Sequence, residues 1–130
     1  MKYVYPAIFK PEGDFYNISF PDLPGCNSFG EGLAQAIEMA GDALALMLCS
    51  LETDGAQIPA PKDIRDIELG DGEIASYISC DTIEYRKKYD NKLVNKTVTI
   101  ESWLNKMAEA AQINCSRVLR KALKEELNIK

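Results

Sequence analysis

One short stretch, Asn95-Lys96-Thr97-Val98-Thr99-Ile100, limits what this chain can fold into. Its alternation puts Val98 and Ile100 on one face of a strand and Asn95, Thr97 and Thr99 on the other. The residues that follow, up to Ile129, have helical spacing, so the strand has no partner nearby in sequence. A lone strand exposes a row of unpaired backbone groups and is not stable in water by itself. The segment Asn95 to Ile129 is also near the lower size limit, about 40 residues, for a domain that folds without oligomerising. Two copies that pair their strands about a two-fold axis remove both difficulties. The expectation is a homodimer with a core of Val98, Ile100, Leu104 and Leu119 and a polar two-stranded ribbon on its surface.

Behind the strand, a first helix over about Ser102–Gln112 gathers Trp103, Leu104, Met107, Ala108 and Ala111 on one side. Ile113-Asn114-Cys115-Ser116 reads as a break and a cap, with Asn114 the best capping residue. The second helix turns Val118, Leu119, Ala122, Leu123 and Leu127 inward. It carries Arg117, Arg120, Lys121 and Lys124 on another face at i, i+3, i+4 and i+7 spacing. An uncovered helix N-terminus offers free amides and the positive end of the dipole, a phosphate site beside Ser116 and Arg117.

Asn95, Thr97 and Thr99 admit two readings. They are groups that read base edges from a ribbon laid in a major groove, or an ordinary solvent face, since threonine favours strands anyway. Charge bears on the choice. Residues 1–90 hold 7 Lys and Arg against 16 Asp and Glu, while residues 91–130 hold 8 against 4, so −9 and +4 make up the net −5. A basic tail suits a polyanion such as operator double-stranded DNA, and an acidic front attracts a basic partner. The strand–helix–helix order, the basic bias and the capped second helix together favour DNA binding.

The front reads as a domain of its own, 1–90, with 91–130 as the second. The boundary falls at polar Asp90-Asn91-Lys92, where the charge changes sign. Strands are expected over Lys2–Lys10, with Tyr3, Tyr5, Ala7 and Phe9 on one face, and over Phe15–Phe20, with Tyr16, Ile18 and Phe20 together. Pro11-Glu12-Gly13-Asp14 is the turn between them, and Pro6 suggests an edge position or a bulge. After the Pro- and Gly-rich Phe20–Cys26 comes a short strand near Cys26–Phe29. A helix follows from about Leu33 to Thr53, with Leu33, Ile37, Ala40, Leu44, Leu48 and Leu51 at helical spacing and Gly55 just past its end. Its sparsely charged outer side, with Ala43 and Leu46, predicts cover on more than one side. A short element at Ile64–Leu69, a strand over Glu73–Asp81 and a helical turn at Ile83–Lys88 complete a small ββ(β)αβ domain of the α+β class.

The composition excludes several chemistries. There is no histidine, so the usual triad base and the commonest acid–base residue are missing. The four cysteines, Cys26, Cys49, Cys80 and Cys115, are scattered and form no CxxC pair, which reads as free thiols rather than a zinc site. No metal or cofactor is expected. No apolar run reaches about 18 residues and the N-terminus has no signal-peptide pattern, so the expectation is a cytoplasmic protein without a membrane contact.

The tail is similar to ribbon–helix–helix (β-α-α) repressors. That resemblance implies base contacts from Asn95, Thr97 and Thr99, and phosphate contacts from Asn114, Cys115 and Ser116. In the front, Phe-Pro-Asp-Leu-Pro-Gly-Cys (Phe20–Cys26), the helix after it, and Asp54-Gly55-x-x-Ile58-Pro59-x-Pro61 resemble the HicB-like antitoxins. This resemblance covers nearly the whole chain. It implies a partial RNase H-like N-terminal domain that blocks a HicA-like mRNA-cleaving toxin protein, and a C-terminal domain that represses the operon encoding both. Whether dimers join into a tetramer through the front domain is left open. The family usually has an acidic residue and Thr where this chain has Glu31-Gly32; Gly32 is still an acceptable N-cap.

A metal-dependent RNase H-like nuclease, a stand-alone transcriptional regulator and a plain binding module are the alternatives. Two-metal cleavage needs several converging carboxylates, and Tyr3–Phe9 supplies none where the first strand would hold one. Asp14, Asp22, Glu38, Asp42 and Asp81 remain, as ligands or as surface charges. No enzymatic role is expected.

Overall fold

A computed structural model describes residues 1–129 and divides into two compact units, Met1–Lys92 and Leu93–Lys130. In the first unit, β1 (Lys2–Glu12) turns at Gly13-Asp14 into β2 (Phe15–Ser19), and β3 (Asn27–Glu31) pairs with β2. After α1 (Gly32–Thr53) and a single 3-10 turn (Ile64–Asp66), β4 (Ile74–Asp81) pairs antiparallel with β1, and α2 (Thr82–Tyr89) follows. The sheet order is β3-β2-β1-β4, with every pairing antiparallel.

Alternation decides which face of the sheet is covered. Tyr5, Ala7, Phe9, Ile18 and Ile78 point to α1 and are buried. The opposite face carries Val4, Phe15, Phe29 and Tyr77, all exposed. Pro6, expected at an edge or bulge, lies in an inner strand opposite Tyr77. Its missing N–H is tolerated because the β1–β2 ladder begins only at Ile8, so β1 is locally an edge at Pro6.

α1 buries a stripe of Ala36, Ala40, Leu44 and Leu48. The two leucines each contribute about 1.5–3 kcal/mol of burial. The alanines reflect a close approach: a Cβ on Gly30 would stand 2.6 Å from the Ala36 nitrogen, so β3 and α1 touch backbone to backbone. Leu33 and Ile37, expected inside, are 48% and 45% exposed. The strand beside them presents only Ser28 and Gly30 inward, too little bulk to cover the first turns of the helix. α2 packs on a further flank, so the helix is covered on more than one side as expected, while Leu46 remains exposed.

Glu31 rather than Gly32 occupies the N-cap position, and Gly32 opens the helix at φ +76°, a conformation other residues adopt only under strain. At the far end Gly55 has φ +65° and the Ala56 N–H reaches the Leu51 carbonyl at 3.0 Å, the Schellman closure expected there. By length and composition α1 is apolar enough to cross a membrane, but its inward stripe is the core of the sheet unit.

The second unit contains α3 (Ser102–Ala110) and α4 (Cys115–Glu126). Residues 95–100 form no strand within one chain, as befits a segment with no partner to pair with. Among the described residues of this unit none is buried.

Candidate functional site

The break between α3 and α4 is built by backbone geometry. Gln112 adopts φ +55°, and the Ile113 N–H bonds the Ala108 carbonyl at 3.1 Å, ending α3 earlier than helical periodicity suggested. Asn114 then caps α4, its side-chain oxygen accepting from the Arg117 N–H at 3.1 Å. Since the first intrahelical bond runs from the Val118 N–H to the Asn114 carbonyl, the amides of Cys115 and Ser116 are left pointing outward. Partly positive amides, the helix dipole and the Arg117 charge share one place, which is the chemistry of an anion site.

Ser116, Leu119 and Arg120 line a hollow of about 300 Å³ together with Asn95 and Lys96. The structure therefore brings Asn95 to the phosphate-type residues, while Thr97 and Thr99 lie outside that hollow and are exposed. Of the four residues expected in a dimer core, Val98, Ile100 and Leu104 are exposed in the single chain and Leu119 is half-buried. Trp103 is 62% exposed. Arg120, part of the basic face but not one of the expected contacts, is the residue that joins the hollow to the rest of that face.

In the first unit, the two stretches that carry the family resemblance meet. Phe20, Leu23 and Cys26 are buried, and backbone bonds Leu23 N–H to Phe20 O and Cys26 N–H to Leu23 O close the loop on itself. The Asp22 carboxylate accepts from the Lys62 N–H at 3.1 Å, and the Tyr5 hydroxyl donates to the Pro59 carbonyl. The Pro- and Gly-rich motif is thus a plug that pins the Gln57–Pro61 loop over the end of the core.

A polar cluster invisible in the sequence ties α1 to β1 and α2. Glu52 accepts from the Tyr3 hydroxyl at 2.8 Å and from Arg86 at 3.2 Å, and lies 3.2 Å from the Thr82 hydroxyl. Burial raises the Glu52 carboxyl, but those hydrogen bonds outweigh it and hold the group below the usual carboxylate range. Burial first, then the bond to Glu52, pushes the Tyr3 phenol up to about 12.

The cysteines are all free thiols. Burial pushes the Cys26 and Cys80 thiols up to about 11, away from reactivity. Of the carboxylates considered for metal binding, Asp81 caps α2 and Asp22 holds Lys62, and no group of three such side chains converges among the described residues.

The class these features define is a two-unit α+β protein, with an acidic sheet-and-helix unit that has its own core and a basic helix-pair unit that has none among its described residues. Residues 5–123 match the family described as HicB-like antitoxin of bacterial toxin–antitoxin system, and the chain belongs to that family. The fold is similar to a chain in a toxin–antitoxin complex from Streptococcus pneumoniae, at 25% identity and a TM-score of 0.65, covering 97% of this chain and 99% of that one. A chain of the HicA3 and HicB3 toxin–antitoxin complex is 27% identical with a TM-score of 0.52, over 61% of this chain and 99% of that one. An uncharacterised 14.9 kDa protein from the rep-hol intergenic region of Haemophilus phage HP1 is 31% identical over 62 residues, 48% of this chain and 47% of the other. The chain therefore matches about half the length of that curated relative.

Proposed function

We propose that this antitoxin neutralises a HicA-like, mRNA-cleaving toxin through residues 1–92 and represses its own operon through residues 93–130. The carrying observation is an asymmetry: a front with a net charge of −9 over residues 1–90 and a complete core is joined to a basic unit that has no buried residue among those described. A unit of that size with Val98, Ile100, Trp103 and Met107 exposed needs a second copy to bury them. Pairing of Asn95–Ile100 across a two-fold axis supplies one, and yields a ribbon–helix–helix dimer with Asn95, Thr97 and Thr99 on the ribbon and Asn114 to Arg117 on the phosphates.

The front unit is read as a partial RNase H-like domain. Its uncovered sheet face supports a docking role, because Phe15 sits directly between Glu12 and Glu31 in the ladder, an aromatic flanked by two carboxylates that suits a basic protein. Two of the solved structures similar to this chain are toxin–antitoxin complexes.

The test has two arms. The product of the neighbouring reading frame, a small basic protein if this reading holds, should cleave mRNA alone and fail to do so with this chain bound. The full chain should shift DNA from its own upstream region. Thr97→Ala with Thr99→Ala should abolish sequence preference while sedimentation still reports a dimer; preference that survives the double change rejects the ribbon.

A further inference from the structure

Beyond the N-terminus of α4, its outer face carries a row of cations. Arg117, Arg120, Lys121 and Lys124 line a groove of about 380 Å³, with Glu125 and Ile129 at its end. Among the described residues none of the four cations forms an ion pair, and Glu125, four residues after Lys121, makes none with it. Like charges three and four residues apart on a helix repel and destabilise it. Here both the i, i+3 and the i, i+4 neighbours are like-charged. A helix that keeps such a row and leaves it solvent-facing has the charge pattern of a polyanion contact. Arg117 and Lys124 are about 10 Å apart along the axis, comparable to the rise of about three base pairs. The groove has no aromatic side chain for base stacking, and its row of point charges along a helix suits phosphates, which every sequence presents alike.

We infer that Arg120, Lys121 and Lys124 form a further nucleic-acid contact, which binds DNA phosphates independently of sequence and extends the Asn114–Arg117 anion site along α4, meeting it at Arg117. This rests on the reading of the tail as DNA-binding, and deepens it. The groove holds the antitoxin on duplex DNA of any sequence, and the ribbon selects among sequences.

The experiment measures binding of the full-length chain and of the triple variant Arg120→Gln, Lys121→Gln, Lys124→Gln to a random-sequence duplex over a range of salt concentrations. Each lost phosphate contact lowers the slope of log affinity against log salt by about 0.9, so the variant's slope should be lower by about 2 to 3 per chain. Its helicity and sedimentation should match the parent, and Thr97→Ala with Thr99→Ala should leave the random-duplex slope intact. An unchanged slope in the triple variant overturns the inference, as does a variant that keeps its DNA slope but loses affinity for the toxin, which would make the groove a protein contact. Failure of the underlying reading looks different: the parent chain would bind random duplex with the full slope and show no preference for its upstream region. In that case the groove would stand and the ribbon would fall.

Discussion

Glu52 sits where α1 ends, under the start of β1 and beside α2, and its partners come from those two neighbours. Because its carboxyl is held below its ordinary value, the folded state binds fewer protons there than the unfolded chain does. It therefore contributes stability that is present above that value and lost as the pH falls through the folded-state range. Tyr3 works at the opposite limit. Its phenol is raised from 10.0 to about 12, so its contribution is whole below pH 10 and lost between 10 and 12. Urea midpoints measured across pH should decline at both limits. Glu52→Gln should flatten the acid limb and Tyr3→Phe the alkaline one, at the cost of a lower plateau, since each change removes a hydrogen bond worth about 1 kcal/mol. A midpoint that keeps its full acid slope in Glu52→Gln would mean that the carboxylate is not the titrating group.

At the scale of elements, α1 and α4 make contrasting predictions. On α1, Leu44→Ala should cost about 2–5 kcal/mol as a core cavity, whereas Leu46→Ala, two residues on and exposed, should stay within about 0.5 kcal/mol. At the start of α4, Asn114→Ala should cost about 1 kcal/mol of helix stability, read as lower helicity and melting temperature. Asn114→Asp should keep the cap yet weaken DNA binding, because it sets a negative charge against an anion site. These elements were unequally legible in the sequence. The strands, the Gly55 closure and the Asn114 cap follow from local alternation and cap chemistry, signals carried within a few residues. The side of α1 that is covered does not, because it depends on the small inward side chains of β3, a strand outside the helix. The Glu52 cluster was wholly hidden, since Tyr3, Thr82 and Arg86 lie 49, 30 and 34 residues from it. At the candidate site, Asn114 could be placed from sequence, but Arg120's position between hollow and groove needed the turn at Gln112 to be known.

At the scale of the whole molecule, the two units should melt by different laws. The Met1–Lys92 unit has its own interior, and its unfolding midpoint should not move with protein concentration. If the tail gains its interior from a second copy, as proposed, its midpoint should rise as the protein is concentrated. Calorimetry at several concentrations should resolve one fixed and one moving transition; two fixed ones would reject dimerisation through the tail. The division of charge at Lys92 also has a consequence at the bench. With a sequence pI near 4.8 the protein should be retained by an anion exchanger at neutral pH, yet the same molecule carries a cationic tail that heparin can capture. A purification could use both resins in succession, and material clipped near Lys92 would part between them, its front half held by the first and its tail by the second.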